Sequence, residues 1–194
     1  MHEEKNLNID IGIHCTLQCS ECQRTIFKKQ KRSIPGKDMT IEQFDKISNF
    51  FKGRRINFCG TFSDPIFNKD FIEMLKLCKD KNIKPFVSTA ASHKPEEWYI
   101  KAFEANKHAV WIFGIDGLPH ESHLYRVNQD GEKLFNIMLK AKSLNIITVW
   151  QYIAFKHNKN SIEEAREIAI KNQIFFDVIY TTRNKNVKVQ NVNI

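Results

Sequence analysis

Three cysteines lie close together near the start of the 194-residue chain, at Cys15, Cys19 and Cys22, with the spacing C-x3-C-x2-C. Thiolates are the usual protein ligands of iron–sulfur clusters. A four-iron cluster is closed by four protein ligands, so three thiolates would leave one iron open. An open position on a metal centre is where a small molecule can bind and be activated. The spacing therefore favours a [4Fe–4S] cluster with one reactive iron.

The same thiols could instead hold a structural zinc ion, and this alternative stays open. The candidates for a fourth zinc ligand are His2, His14 and Cys59. Zinc sites usually have two pairs of ligands separated by a longer loop, and the sequence has no second pair. A thioredoxin-like C-x-x-C site would use Cys19 and Cys22 but would give Cys15 no role. A disulfide framework is not expected, because the cysteines are few and no signal peptide is visible.

The elements that must position these cysteines alternate between β-branched runs and amphipathic helical segments. This alternation is typical of a parallel α/β sheet or barrel. Six strands are predicted, at residues 7–13, 55–59, 85–89, 109–115, 146–154 and 175–180. The predicted fold is α/β, a partial (βα)6 TIM-like barrel with a parallel sheet. No composition shift divides the chain, so we expect a single domain over residues 1–194.

Residues that favour helix starts lie between the strands. The predicted N-caps are Thr40, Asn68, Asp130 and Ser161, and Pro95 suits the first turn of a further helix. Two of these N-caps have a capping-box residue three positions later, Gln43 after Thr40 and Glu164 after Ser161. Residues 23–39 are predicted to be one long connection. Residues 183–194 are expected to form a frayed end or a last short strand.

A polar or glycine-containing segment follows each predicted strand. These segments are residues 15–22, 60–65, 89–92, 116–117, 156–158 and 181–183. The carboxyl ends of parallel strands share one edge of the sheet, and α/β enzymes place their active sites there. We therefore expect all six segments to contribute to one face.

Composition and charge bound the possible partners. Hydrophobic residues make up 42% and charged residues 27% of the chain, as in ordinary globular proteins. No apolar run is long enough for a membrane span, and the N-terminus lacks an apolar signal core, so we expect a cytoplasmic protein with no membrane contact.

A net charge of +8 allows a nucleic-acid partner. The densest basic stretch is Arg24, Lys28, Lys29, Lys31 and Arg32. Only Phe27 interleaves with it, so nucleic-acid binding is weakly supported and a solvated loop is favoured.

The cysteine spacing is that of the radical S-adenosylmethionine (radical SAM) enzymes, and from these residues the chain resembles that superfamily over residues 7 to about 180. Gly60-Thr61-Phe62-Ser63-Asp64-Pro65 is similar to the Gly-Gly-Glu-Pro-like turn that holds the amino group of S-adenosylmethionine. Thr89 resembles the start of a Thr-Asn-Gly turn after the third strand. Asp116-Gly117 and the later Arg126 resemble the fourth-strand segment, where Gly114 replaces the usual Ser. Asn158 resembles an Asn that reaches the ribose.

The resemblance implies that Cys15, Cys19 and Cys22 ligate the cluster and that S-adenosylmethionine binds beside it. The cofactor contacts it implies are Gly60, Thr61, Phe62, Ser63, Asp64, Thr89, Asp116, Arg126, Asn158 and Tyr180. Arg126 would bind the methionine carboxylate, since a guanidinium pairs well with a carboxylate. Many members have an aromatic residue just before the third cysteine, where it packs on the adenine, but this chain has Glu21. The resemblance therefore leaves adenine packing to Tyr180 or Phe62.

The chemistry that the resemblance implies is reductive cleavage of S-adenosylmethionine to a 5′-deoxyadenosyl radical, which abstracts hydrogen from a substrate. The group most similar to this chain has SPASM-type auxiliary-cluster domains, but the sequence has no cysteine beyond Cys78. A peptide or small-molecule substrate is favoured, with flavodoxin or ferredoxin as the electron donor. Glycyl-radical activation and nucleotide modification are alternatives. An alternative of another class is a non-catalytic iron–sulfur or zinc module.

Overall fold

The computed structural model describes residues 7–180, and six parallel strands form its centre. The strands are β1 (Leu7–Ile9), β2 (Arg55–Phe58), β3 (Lys84–Thr89), β4 (Val110–Gly114), β5 (Ile147–Ala154) and β6 (Phe175–Tyr180). They lie side by side in chain order in one open sheet. The predicted partial (βα)6 TIM-like arrangement is confirmed.

Helices connect the strands. They are α1 (Gln23–Lys29), α2 (Ile41–Ser48), α3 (Phe71–Asp80), α4 (Glu96–Ala105), α5 (Gly131–Ser143) and α6 (Ile162–Lys171). Among residues 7–180, no helix combines the length and the apolar character needed to cross a membrane. His2, the polar segment at 181–183 and the tail at 183–194 lie outside the described residues. The single-domain assignment of residues 1–194 stays a prediction.

The two faces of the sheet have different environments because side chains alternate along a strand. On the outer face, Phe58, Trp111 and Trp150 are completely buried under the helices. The Trp111 ring meets Phe103 of α4 edge to face, with the ring centroids 4.8 Å apart. Burial of each such side chain stabilises the folded state by about 1.5–3 kcal/mol. The inner face is only half buried, and it forms the floor of a cavity described below.

Two of the predicted helix starts are confirmed. The Thr40 side chain accepts a hydrogen bond from the Gln43 backbone amide, and the Gln43 side chain accepts one from the Thr40 amide, which completes the capping box of α2. Asp130 accepts from the Lys133 amide at 2.9 Å and caps α5. Both caps depend only on neighbours three residues away, which is why the sequence reveals them.

Two other predicted helix starts differ in part or in full. Ser161 is the N-cap residue of α6, as predicted, but it forms no capping box: a 3-10 turn at Lys159–Ser161 runs directly into α6, and the Ser161 side chain makes no capping hydrogen bond. Asn68 lies two residues before Asp70, the N-cap of α3. Its amide group donates to the Ile11 carbonyl at 2.6 Å, and it thereby ties the loop before α3 to the loop after β1. Pro95 is the N-cap of α4, one position before the predicted first turn.

The segment between β1 and α2 also differs from the prediction. Residues 23–39 are not one long connection, because α1 occupies Gln23–Lys29. The first strand ends at Ile9 rather than at residue 13. The backbone beyond it pairs with the segment before α2 instead of with β2: the Met39 amide donates to the Ile11 carbonyl, and Asp38 accepts from the Ile13 amide.

Candidate functional site

A cavity of about 620 Å³ opens at the carboxyl ends of β1 to β4 and extends over the inner face of the sheet. Cys15, Cys19 and Cys22 all line it, and so do Gly60 to Asp64 from the loop after β2. The floor comes from inner-face side chains, including Ser88, Ile112, Gln151 and Ile153. The fold thus brings the cysteine motif and the predicted cofactor loop, which are far apart in the sequence, to one space.

The cysteine loop is held by backbone hydrogen bonds at both ends. The Gln18 amide donates to the Val127 carbonyl at 3.0 Å, which joins the loop to the segment after β4. The Cys22 amide donates to the Cys19 carbonyl at 3.1 Å, which makes a tight turn. Cys22 then adopts an extended conformation as the N-cap of α1. The last two thiols therefore sit on a turn that leads straight into a helix.

The surroundings of Cys15 and Cys19 favour the uncharged thiol over a free thiolate. Burial raises the pKa of the Cys15 thiol to about 12, and the neighbouring Asp64 carboxylate adds to the shift. Burial also raises the pKa of Cys19, against the opposing effect of the Arg126 guanidinium. Uncharged thiols are favoured until a cation compensates for desolvation, and metal coordination deprotonates a thiol. All five cysteines are free of disulfides.

The geometry also bears on the kind of metal centre. Within residues 7–180, no three His, Cys, Asp or Glu side chains lie close enough to hold one metal ion. All three motif cysteines line the cavity, and thiolates are the usual protein ligands of iron–sulfur clusters. Of the candidates for a fourth zinc ligand, Cys59 lines the cavity and His14 is exposed beside Asp38. The donor set fits a [4Fe–4S] cluster.

The loop at 60–63 has a conformation that is set by its contacts with other loops. A Cβ atom on Gly60 would lie 2.0 Å from the Ser63 carbonyl oxygen, so only glycine fits there. Asp10 accepts hydrogen bonds from the Thr61 and Phe62 amides and from the Ser63 hydroxyl. The Arg24 guanidinium donates to the carbonyls of Ile13 and Phe62 and so connects the cysteine loop with this one.

The Asp64 carboxylate lines the cavity but is occupied by protein donors. It accepts from the Thr89 hydroxyl at 2.9 and 3.0 Å, from the Ala90 and Ala91 amides at 2.8 and 3.0 Å, and from the Ile66 amide at 3.3 Å. Burial raises the pKa of Asp64, and these donors oppose the shift. Asp64 and Thr89, both predicted as cofactor contacts, therefore join the loop after β2 to the loop after β3.

Arg126 lines the cavity and is fixed from behind by Asp116. The Arg126 Nε lies 2.8 Å from Asp116 Oδ2, and Asp116 is completely buried. Asp116 Oδ1 also accepts from the Ile153 amide of β5. A Cβ atom on Gly114 would lie 2.9 Å from Arg126 Nη2. Gly114, which replaces the usual Ser, thus leaves the space that the guanidinium fills.

Three of the predicted cofactor contacts, Asp116, Asn158 and Tyr180, do not line the cavity. Asn158 is buried, and its side chain accepts from the Phe155 amide at 2.7 Å and donates to the Ile153 carbonyl at 3.0 Å. These bonds close the turn after β5, and the role of Asn158 at a ribose stays a prediction. Tyr180 is 77% exposed and does not line the cavity, so of the two aromatic candidates only Phe62 does. His157 stacks on Phe155, away from the cavity lining.

Three residues of the site are not identified by the sequence patterns. Asp10 and Arg24 anchor the loop at 60–63. Gln129 donates to the carbonyls of Ala90 and Gly114 and thereby joins the ends of β3 and β4. Asp10 could have been identified from the sequence, because it is a carboxylate directly after a short run of residues typical of a β-strand. Arg24 looks like part of a solvated basic stretch, and nothing in the sequence around Gln129 distinguishes it.

Comparisons with known proteins support this architecture. No protein-family model and no curated protein sequence matches the chain. Streptococcus suis SuiB bound to S-adenosylmethionine has a similar structure, with a TM-score of 0.75, 15% identity, and coverage of 94% of this chain and 43% of SuiB. Methylornithine synthase (PylB) has a TM-score of 0.68, with 18% identity and coverage of 90% and 52%. The anSMEcpe structure with bound AdoMet has a TM-score of 0.67, with 15% identity and coverage of 90% and 50%.

These similar structures are radical SAM enzymes. At such low identity the similarity concerns the fold, and the chain has the fold of the radical SAM core. The resemblance inferred from the cysteine motif is confirmed at that level. The chain spans about half the length of these three relatives.

Proposed function

We propose that this protein is a radical SAM enzyme that binds a [4Fe–4S] cluster through Cys15, Cys19 and Cys22 and S-adenosylmethionine at the open iron. When bound, the cluster would pass one electron from an external donor to the sulfonium, and the chemistry supplied would be cleavage to methionine and a 5′-deoxyadenosyl radical that takes a hydrogen atom from a substrate. The observation that carries the proposal is the shared cavity. Three thiols in C-x3-C-x2-C spacing face it together with the loop at 60–63, in a radical SAM fold.

The charged groups of S-adenosylmethionine have complementary partners in the cavity. The backbone carbonyls of the loop at 60–63 are acceptors for its ammonium group. Arg126 is the partner for its carboxylate. The Nε of that guanidinium pairs with Asp116, and within residues 7–180 no hydrogen bond uses its Nη groups, which are therefore donors for the ligand. Asp116 thus acts through Arg126, as a positioning residue rather than a direct contact.

Phe62 is the predicted aromatic residue that lines the cavity, and we assign adenine packing to it. It lines the cavity, and its ring meets Phe27 of α1 with the centroids 5.3 Å apart. The Arg32 guanidinium lies over the other ring of the pair, 4.1 Å from the Phe27 centroid. These contacts fix an aromatic surface beside the cavity, which compensates for Glu21 at the usual aromatic position.

A peptide is the substrate class that the comparisons favour. SuiB has been solved with its precursor peptide SuiA, and this chain matches that structure with a TM-score of 0.76, 16% identity and coverage of 95% of this chain. The anSMEcpe structure has been solved with the Cp18Cys peptide. A small molecule is the second candidate, since a methylornithine synthase is also similar. Flavodoxin or ferredoxin would supply the electron.

The test is anaerobic reconstitution with iron and sulfide, followed by reduction and electron paramagnetic resonance with and without S-adenosylmethionine. We expect about four irons and four sulfides per chain and a [4Fe–4S]⁺ signal that changes shape when S-adenosylmethionine is added. A single bound zinc would contradict the proposal, and so would a cluster whose electron paramagnetic resonance signal does not change when S-adenosylmethionine is added. Either result would favour a non-catalytic module.

A further inference from the structure

Asp10 makes an unusual set of contacts for the residue that follows the first strand. Its Oδ2 accepts hydrogen bonds from two successive backbone amides, Thr61 at 2.8 Å and Phe62 at 3.0 Å. Its Oδ1 accepts from the Ser63 hydroxyl at 2.5 Å. One carboxylate therefore satisfies three donors of a single loop that is distant in the chain.

These contacts determine where the loop carbonyls point. In a planar trans peptide the N–H and the C=O point in opposite directions. The Thr61 amide shares its peptide unit with the Gly60 carbonyl, and the Phe62 amide shares its unit with the Thr61 carbonyl. Since both amides point at Asp10, both carbonyls point away from it. Gly60 and Thr61 themselves line the cavity.

Few other contacts could hold this part of the loop. Arg24 reaches the Phe62 carbonyl at 3.3 Å, and the Asp64 amide donates to the His14 carbonyl at 2.9 Å. Among the described residues, the Thr61 and Phe62 amides have no hydrogen-bond acceptor other than Asp10. Gly60 and Thr61 are exposed, so packing does not restrain them. Asp10 is the main restraint on the orientation of these two peptide units.

We propose that Asp10 is a positioning residue that presents the Gly60 and Thr61 carbonyls as acceptors for the ammonium group of S-adenosylmethionine. The inference rests on the proposed function. Asp10 does not touch the cofactor in this role and acts through the two peptide units. Its negative charge behind them also favours a cationic ligand in front.

The first test measures binding of S-adenosylmethionine to the cluster-loaded protein by calorimetry. Asp10→Ala is expected to weaken binding by about 10–100-fold, the usual cost of removing a group that orients a ligating group. Asp10→Asn keeps an acceptor for the two amides and should recover part of the affinity. Asp45→Ala, which removes an exposed aspartate that pairs with Lys81, should bind as tightly as the wild type. Iron content should stay the same in all four proteins.

The second test needs no cluster. Amide hydrogen exchange, followed by NMR on the protein without metal, reports directly on the Thr61 and Phe62 amides. Both are expected to be protected in the wild type and to exchange faster in Asp10→Ala, while the Gln18 amide, bonded to Val127, keeps its protection.

The outcomes separate this inference from the proposed function. If the wild type binds S-adenosylmethionine and Asp10→Ala binds it equally well, the positioning role is wrong and the proposed function stands. Loss of iron in Asp10→Ala would also contradict the positioning role, because Asp10 would then support the fold as a whole. If the cluster-loaded wild type does not bind S-adenosylmethionine, the proposed function fails first, and this inference fails with it.

Discussion

At the scale of single residues, Cys59 is a fourth thiol in the same cavity as the motif cysteines. It lies at the end of β2, outside the C-x3-C-x2-C motif, and is half-buried. Burial and the Asp10 carboxylate raise the pKa of its thiol, which favours the uncharged form. If Cys59 were a ligand, the cluster would have four thiolates and no open iron. The proposed chemistry therefore requires that Cys59 is not a ligand.

We expect Cys59→Ala to retain four irons per chain, because the three motif thiols suffice. Cys19→Ala should lose nearly all cluster iron and all cleavage of S-adenosylmethionine. Cys78→Ala is the matched control, since Cys78 is fully buried in α3 and does not line the cavity. Iron analysis and product chromatography measure both effects. Cleavage at the wild-type rate in Cys19→Ala would contradict the site, and loss of iron in Cys59→Ala would mean a four-cysteine centre.

At the scale of elements, the loops at the strand ends depend on one another. Asp64 joins the loop after β2 to the loop after β3, Gln129 joins the ends of β3 and β4, and Asn68 joins the loops after β1 and β2. Each connection is a buried side chain bonded to backbone groups. Such connections matter because a buried polar backbone group without a partner costs about 1–3 kcal/mol.

Asp64→Asn tests this coupling between loops. Both carboxylate oxygens of Asp64 accept from backbone amides, so an asparagine NH2 group would face a donor whichever way it turned. We expect the free energy of unfolding to fall by about 1–3 kcal/mol, measured by urea denaturation of the protein without metal. The control Asp45→Asn alters an exposed aspartate and should change the free energy of unfolding by less than about 0.5 kcal/mol. Equal stability of Asp64→Asn and wild type would show that Asp64 does not carry this connection.

At the scale of the whole molecule, the sheet is open, and the described part of its first strand has three residues. Groups from the loops after β1, β2 and β4 line the same cavity. A cluster held by the first loop, with S-adenosylmethionine held by the other two, would connect these loops. Ligand binding should therefore add to the stability of the fold as a whole.

We expect S-adenosylmethionine to stabilise the cluster-loaded protein by about 2.7 kcal/mol at a concentration roughly one hundred times its Kd. The protein without cluster should gain much less, because the open iron is one of the binding groups. Anaerobic thermal unfolding with and without S-adenosylmethionine measures the difference. The same gain with and without cluster would contradict binding at the iron, since it would place the ligand elsewhere.

The sequence by itself determined the features that depend on near neighbours. The cysteine spacing is a property of eight consecutive residues, and the order of strands and helices follows from local periodicity. The capping box at Thr40 and Gln43 and the cap at Asp130 also involve residues only three positions apart. The fold could therefore be predicted from local patterns of residues, and the proposed cofactors rest on the same patterns.

Only the tertiary structure decided how the polar side chains of the site are used. An aspartate or asparagine side chain can form hydrogen bonds with a ligand or with the protein, and the sequence does not distinguish the two. The sequence predicts Asp64 and Asn158 as cofactor contacts, and the fold shows that Asp64 also bonds to the turn after β3 and Asn158 to its own turn. It brings Asp10 to the loop at 60–63 across a long stretch of chain. The physical reason is that these partners exist only once parallel strands have placed their carboxyl ends side by side.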